Sequence, residues 1–212
     1  MIRKIVSTSI FTFFINILPL LFKPHLLLNY KPIIILIGGL TMFLTQPAFS
    51  LEETMENKTT DRFSILIILL ASGISVSSSL VEWGYFSKRN SNFFFTALGV
   101  LMIASGLALR ISAILTLGKF FTATARITRQ QVLVENGPYA LIRHPSYAGA
   151  IIVMTGVPVL LNNTVTFFST VLLLTLAYVI RIKNEEKVLV SIFGDKYVQY
   201  SEKVKKIIPR IW

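Results

Sequence analysis

The sequence predicts an all-α, multi-pass bundle of membrane-spanning helices, five or six in number. Three observations carry that expectation. Of the 212 residues, 53% are hydrophobic and only 15% charged, and the mean hydropathy of +0.67 is well above that of a water-soluble domain of this size. Apolar runs recur along most of the chain, several of them long enough to cross the roughly 30 Å of hydrocarbon that takes about 20 helical residues. The basic residues are also unevenly distributed between the loops. With six crossings, sixteen of the 21 Lys and Arg fall on the face that carries both chain ends. Lys23, Lys31, Lys88 and Arg89 fall on the other, and Arg110 lies inside a span. The positive-inside bias then places both ends in the cytoplasm.

Residues 5–22 and 33–49 read as two spans punctuated by Pro19, Pro24 and Pro32. A cleaved leader is the competing reading, because QPAFS at 46–50 spaces Ala48 and Ser50 like a peptidase site. Two apolar runs precede that site where a leader has one, which favours the spans. Residues 63–83 (FSILIILLASGISVSSSLVEW) and 93–117 (FFFTALGVLMIASGLALRISAILTL) are the clearest spans, rich in Ile, Leu, Phe and small residues that let helices approach closely. Within the second, Arg110 is read as snorkelling to the cytoplasmic surface. Residues 147–161 and 164–180 are separated only by Asn162-Asn163, a polar pair suited to the tight turn of a helical hairpin. With no internal repeat or Gly/Ser linker, the chain divides into N-terminal spans and a loop (1–62), core spans (63–117) and a C-terminal region (118–212).

Composition also excludes function classes. Sixteen Phe make disorder implausible. The absence of Cys and the presence of only His25 and His144 rule out disulfides, a thiolate nucleophile and a Cys/His metal site, so no metal is expected. The net charge of +11 is largely topological. Interspersed acids and the lack of a soluble basic domain argue against nucleic acid, whereas the basic tail suits anionic membrane lipids.

Two polar stretches hold most of the residues able to perform chemistry, 118–146 and 181–212. In the first, Gly137-Pro138 turns the backbone and Pro145 removes an amide donor just before the hairpin, leaving polar backbone at the membrane surface. By local chemistry alone, Arg143 and His144 read as interfacial anchors beside Tyr139 and Tyr147. In the second, RIKNEEK at 181–187 continues from the last apolar helix. Arg181 and Glu185 therefore lie four residues and about 40° apart on one helical face, able to point at one ligand together. An exposed i,i+4 ion pair is the bland alternative, but a charge turned toward the bundle at that depth is costly unless matched. FGDKY at 193–197, Tyr200 and IIP at 207–209 suggest an amphipathic helix against the membrane face and a terminating turn.

In this order, GPY, RHPSYAG, an apolar hairpin, RxxxEE, FGxxYxxY and a closing IP, spread over roughly 117–212, make the chain resemble the isoprenylcysteine carboxyl methyltransferase family. That family lies within a wider group of small membrane methyltransferases. The resemblance implies S-adenosylmethionine as cofactor, in a cytosolic pocket lined by Gln131, Val132, Leu133, Val134, Tyr139, His144, Pro145, Ser146 and Tyr147, with Glu185 completing it. It implies that Arg181 holds the substrate carboxylate and is the catalytic residue. The family's eukaryotic enzymes often have His where this chain has Gln131. The expected reaction is methyl transfer to the carboxylate of a lipid-like or prenylated substrate, by an integral membrane enzyme whose active site and C-terminus face the cytoplasm. The rivals are a phospholipid or other lipid amine N-methyltransferase, whose acceptor calls for no obligatory Arg, and a non-catalytic membrane scaffold.

Overall fold

The computed structural model describes residues 10–46, 59–87, 92–121 and 132–212. The expected all-α bundle is what these residues form. An irregular first helix, α1 (Ile10–Leu20), is followed by α2 (Tyr30–Leu44), α3 (Thr59–Val81), α4 (Phe93–Leu117), α5 (Pro145–Leu161), α6 (Thr164–Phe193) and the short α7 (Asp195–Lys203). Of these, α3 with its extension, α4 and α6 are long and apolar enough to cross a membrane, whereas α1, α2 and α5 are shorter apolar helices.

Helix boundaries follow the local chemistry. Asn29 and Asn92 cap α2 and α4 by accepting from the amides of Lys31 and Phe94. Gly118 and Gly194 end α4 and α6 at φ +53° and +54°, conformations that a side chain would strain. α3 runs on through wider π-helical turns at Glu82–Phe86, and the freed Gly84 carbonyl accepts from Lys23 Nζ at 2.8 Å. Pro145 occupies the first turn of α5, where its missing amide costs nothing. At the other end of α5, Asn162 in the left-handed region (φ 60°) makes the expected hairpin turn. That turn is tied to α3: Asn163 Nδ2 donates to the Ser79 carbonyl at 2.7 Å, and Glu82 accepts from the Thr166 amide in the first turn of α6.

The sidedness of the helices fits a bilayer. Leu66, Leu70 and Ile74 of α3, and Phe168, Leu172 and Leu176 of α6, form exposed apolar stripes at four-residue spacing, as surfaces turned to lipid do. On the opposite face of α6, Thr166, Thr170, Leu174, Ala177, Tyr178, Arg181 and Ile182 are buried. α4 and α5 pack closely through glycines. A Cβ on Gly106 would lie 2.7 Å from the Gly149 carbonyl oxygen, and one on Gly149 would lie 2.6 Å from that of Gly106, the small-residue contact by which membrane helices approach.

α6 is 30 residues long, about 45 Å at 1.5 Å per residue, against roughly 30 Å of hydrocarbon. Its C-terminal turns therefore continue as the same rigid helix past the apolar span. Arg181 and Glu185 sit on this continuation, as the sequence predicts.

Candidate active site

Arg181 extends the buried stripe of α6 by one turn and is only 3% exposed. Its charge is met inside the bundle. Nε donates to the Tyr147 hydroxyl at 3.0 Å and Nη1 to the Ser64 hydroxyl at 3.2 Å, while Glu185 Oε2 lies 4.0 Å from Nε. The Tyr147 hydroxyl in turn donates to Glu185 Oε2 at 2.6 Å, the length usual for a charge-assisted bond of this class. One tyrosine hydroxyl thus bridges the guanidinium and the carboxylate. The Tyr147 ring is held between His144, stacked at an interplanar angle of 5°, and Tyr178 at 5.2 Å between centroids.

Consecutive helical residues point about 100° apart, so the two adjacent acids serve different partners. Glu185 faces Tyr147. Glu186 accepts from Arg143 Nη2 at 2.7 Å and Nε at 3.0 Å, lies 3.3 Å from His144 Nε2, and pairs with Lys206 Nζ at 3.1 Å. Arg143 also donates through Nη1 to the carbonyls of Ser201 and Val204. The backbone amides of Arg143 and His144 donate to the carbonyls of Lys205 and Lys206 at 2.7 and 2.9 Å, and Ile142 forms a parallel bridge with Lys205. The segment after α7 is thereby fastened along the residues preceding α5. This overturns the interfacial-anchor reading of Arg143 and His144: Arg143's side chain is 7% exposed and His144's 4%, both turned inward because Glu186 and the C-terminal carbonyls offer partners that lipid headgroups need not supply.

Arg110 is corrected in the same way. It does not snorkel: it is 2% exposed, and its Nη1 donates to the hydroxyl of Ser146 at 2.7 Å and to the Ser146 carbonyl at 3.1 Å. The close approach of α4 to α5 at Gly106 and Gly149 brings the first turn of α5 within its reach and leaves the side chain no route outward.

These groups line a cavity of about 270 Å³. Its walls carry Val132, Leu133, Val134, Tyr139, His144, Ser146, Tyr147, Arg181 and Glu185, together with Arg110, Arg143, Tyr178, Tyr197 and Tyr200, which the sequence motifs do not assign to it. The same cavity is lined by apolar residues of α1, α2 and α3, among them Ile15, Ile35, Met42, Ile68 and Val76. Pro145 is buried in the first turn of α5 but is not in the wall, and Gln131 lies outside the described residues. Gly137–Ala140 forms one 3-10 turn, with Gly137 at φ +57°, and this turn delivers Tyr139 to the wall. The Tyr139 carbonyl accepts from Tyr200 of α7 at 2.6 Å. Burial pushes the hydroxyls of Tyr139, Tyr197 and Tyr200 above the ordinary phenol range; the Glu185 charge adds to the effect at Tyr139, and the Glu186 charge at Tyr197. All three are neutral donors near neutral pH. No group of three or more His, Cys, Asp or Glu suited to a metal occurs among the described residues.

The model of the isoprenylcysteine carboxyl methyltransferase (ICMT) family matches residues 97–191. Protein-S-isoprenylcysteine O-methyltransferase B of Arabidopsis thaliana is 34% identical over 142 residues, which cover 66% of this chain and 72% of that protein. The chain belongs to the isoprenylcysteine carboxyl methyltransferase family. The Schizosaccharomyces pombe protein-S-isoprenylcysteine O-methyltransferase is 37% identical over 153 residues, 69% of this chain and 64% of that protein. The fold is shared as well: a solved structure of a eukaryotic intramembrane Ras methyltransferase ICMT aligns with a TM-score of 0.67 and 23% identity, covering 98% of this chain and 77% of that one. The chain is accordingly an integral membrane methyltransferase, and neither the lipid-amine nor the scaffold alternative is favoured by its relatives.

Proposed function

We propose that the enzyme moves a methyl group from S-adenosylmethionine to the carboxylate of an isoprenylcysteine-type acceptor, with the cavity as its active site, Arg181 holding the acceptor carboxylate and Glu185 belonging to the donor site. The observation that carries this reading is that the Arg181–Tyr147–Glu185 array and the apolar residues of α1 to α3 line one and the same cavity. A lipid-tailed acid needs both surfaces at once.

The chain's residues fit the donor chemically. Val132, Leu133 and Val134 offer apolar contact for a nucleoside, and Glu185 a carboxylate for an ammonium. When bound, S-adenosylmethionine supplies an electrophilic methyl group on a sulfonium. Everything else falls to the protein. An acceptor carboxylate is already ionised near neutral pH, so no general base is required. The walls contribute orientation and the exclusion of water, which otherwise stabilises the separated ions and slows their reaction. Positive-inside bias supports a cytosolic mouth for the polar part of the cavity, with the prenyl tail entering between spans.

The test is steady-state methyl transfer in nanodiscs together with calorimetry. Arg181→Ala raises the KM for a prenylated thiol acid strongly, and Glu185→Ala weakens binding of S-adenosylhomocysteine. Unchanged kinetics and binding in both variants, or equal turnover of a prenyl-free thiol acid, reject the assignment.

A further inference from the structure

Arg110 is a buried cation that its own protein leaves half served. Nη1 is engaged by Ser146, but among the described residues Nε and Nη2 have no hydrogen-bond partner and are shielded from water. No carboxylate of the described residues pairs with it, and Tyr139, Tyr147 and Tyr178 share the cavity wall with it. The first turn of α5, to which Arg110 is bonded, adds the positive end of a 17-residue helix. An unmatched guanidinium inside a membrane span is expensive, and such residues mark ligand sites.

The two orphaned groups have a particular geometry. Nε–H and Nη2–H lie side by side on one edge of the guanidinium and form the fork that grips a carboxylate with two parallel hydrogen bonds. Among the charged side chains of the cavity wall are three guanidiniums, of Arg110, Arg143 and Arg181, and one carboxylate, of Glu185. Glu186 already answers Arg143. Arg181 is engaged by Tyr147 and Ser64, with Glu185 at 4.0 Å, so the unserved fork is that of Arg110. The reaction proposed above brings two carboxylates, one on the acceptor, which that reading gives to Arg181, and one on the amino-acid end of the donor.

We propose that Arg110 is the binding residue for the donor's amino-acid carboxylate, leaving Arg181 for the acceptor. This rests on the methyl-transfer reading above. Its Nη1 bond to Ser146, within the run that the motif resemblance assigns to the cofactor, directs it to the donor; Glu185 in the same wall suits the donor's ammonium. Arg110 and Glu185 together then recognise an α-amino acid rather than a nucleoside alone.

The experiment is calorimetry on the full chain in nanodiscs with two probes, S-adenosylhomocysteine, which carries the amino-acid end, and 5′-methylthioadenosine, which lacks it. Arg110→Lys keeps the charge without the fork, and Arg110→Met removes both. Both variants are expected to weaken S-adenosylhomocysteine by about 10- to 100-fold, the range for hydrogen bonds to a charged group, while 5′-methylthioadenosine binds as to the wild type. Unchanged S-adenosylhomocysteine affinity, an equal loss for both probes, or an effect confined to the acceptor KM overturns the assignment. If the variants do not fold, the wild type decides it with a third probe, S-adenosyl-3-thiopropylamine, which keeps the ammonium and lacks the carboxylate: S-adenosylhomocysteine must bind more tightly than this compound by the same factor, and equal affinities refute the proposal. Failure of the wild type to bind S-adenosylhomocysteine at all would instead sink the methyl-transfer reading itself.

Discussion

Replacing Tyr147 with Phe removes one oxygen and, with it, the bridge between the two charges of the site. The ring remains held between His144 and Tyr178, and the helix that carries it is unchanged, so the fold is expected to survive. What is lost is an O–H donated to a carboxylate at 2.6 Å and an acceptor for a guanidinium N–H at 3.0 Å. A hydrogen bond to a charged group contributes about 1.5–3 kcal/mol, and each 1.36 kcal/mol is a factor of ten in rate. Arg181 still has Ser64 at 3.2 Å and Glu185 at 4.0 Å, and closure of that ion pair recovers part of the loss. The expected outcome is a fall of roughly 10- to 100-fold in kcat/KM for the acceptor, with a thermal midpoint close to that of the wild type. The assay is transfer of isotope-labelled methyl to a prenylated thiol acid, with unfolding followed in the same detergent. Wild-type kcat/KM in a correctly folded Tyr147→Phe enzyme would show that the bridge does not organise the reacting groups.

Three further outcomes follow from the same contacts. Glu186→Gln strips a buried Arg143 and Lys206 of their carboxylate, and removing one partner of a largely buried pair costs about 3 kcal/mol; detergent unfolding should show a larger loss than Tyr200→Phe, which forfeits a single bond to the Tyr139 carbonyl, about 1 kcal/mol. Gly106→Ala drives a methyl to 2.7 Å from the Gly149 carbonyl oxygen and is expected to destabilise by about 1–3 kcal/mol, whereas Gly39→Ala, whose Cβ meets nothing within 4 Å, leaves the midpoint unchanged or raised. The hydroxyls of Tyr139, Tyr197 and Tyr200 are held above the ordinary phenol range, so their contribution to stability is fully present below the unfolded value of about 10 and is lost as pH climbs through the higher folded values; ultraviolet titration of the folded enzyme should show these three ionising after the exposed tyrosines.

The parts of the molecule legible in the sequence are those set by neighbours along the chain. The bounds of α4 match the apolar run residue for residue, because Asn92 and Gly118 punctuate it locally. The Asn162 turn and the shared face of Arg181 and Glu185 follow equally from local periodicity. The N-terminal runs are less legible: α2 starts at Tyr30 rather than 33 because Asn29 caps it, and α1 breaks into π and 3-10 turns near Pro19. What escaped altogether depends on residues far apart. Arg143 meets Ser201 and Val204 across 58 and 61 positions, and Arg110 meets Ser146 across 36. A basic residue in an apolar run looks the same whether it reaches lipid headgroups or a partner on another helix. The two glycines that bring α4 and α5 together decide the matter for Arg110, and nothing in the run itself announces their pairing.

If Arg181 holds the acceptor carboxylate as proposed, the company it keeps also bears on how the reaction can be fast. A lone guanidinium in a dry cavity would pair so strongly with an acceptor carboxylate that it would hold the nucleophile in its ground state. Here the same guanidinium is committed through Nε to Tyr147 and through Nη1 to Ser64, with the Glu185 carboxylate at 4.0 Å. The field it presents to a further anion is that of a cation already partly answered. Orientation by hydrogen bonding persists under those conditions, because it depends on the direction of the guanidinium N–H groups, while neutralisation, which depends on net charge, is tempered. An acid one helical turn from the cation, joined to it by a neutral hydroxyl, is therefore what a carboxylate methyltransferase needs if it is to position its nucleophile without quenching it.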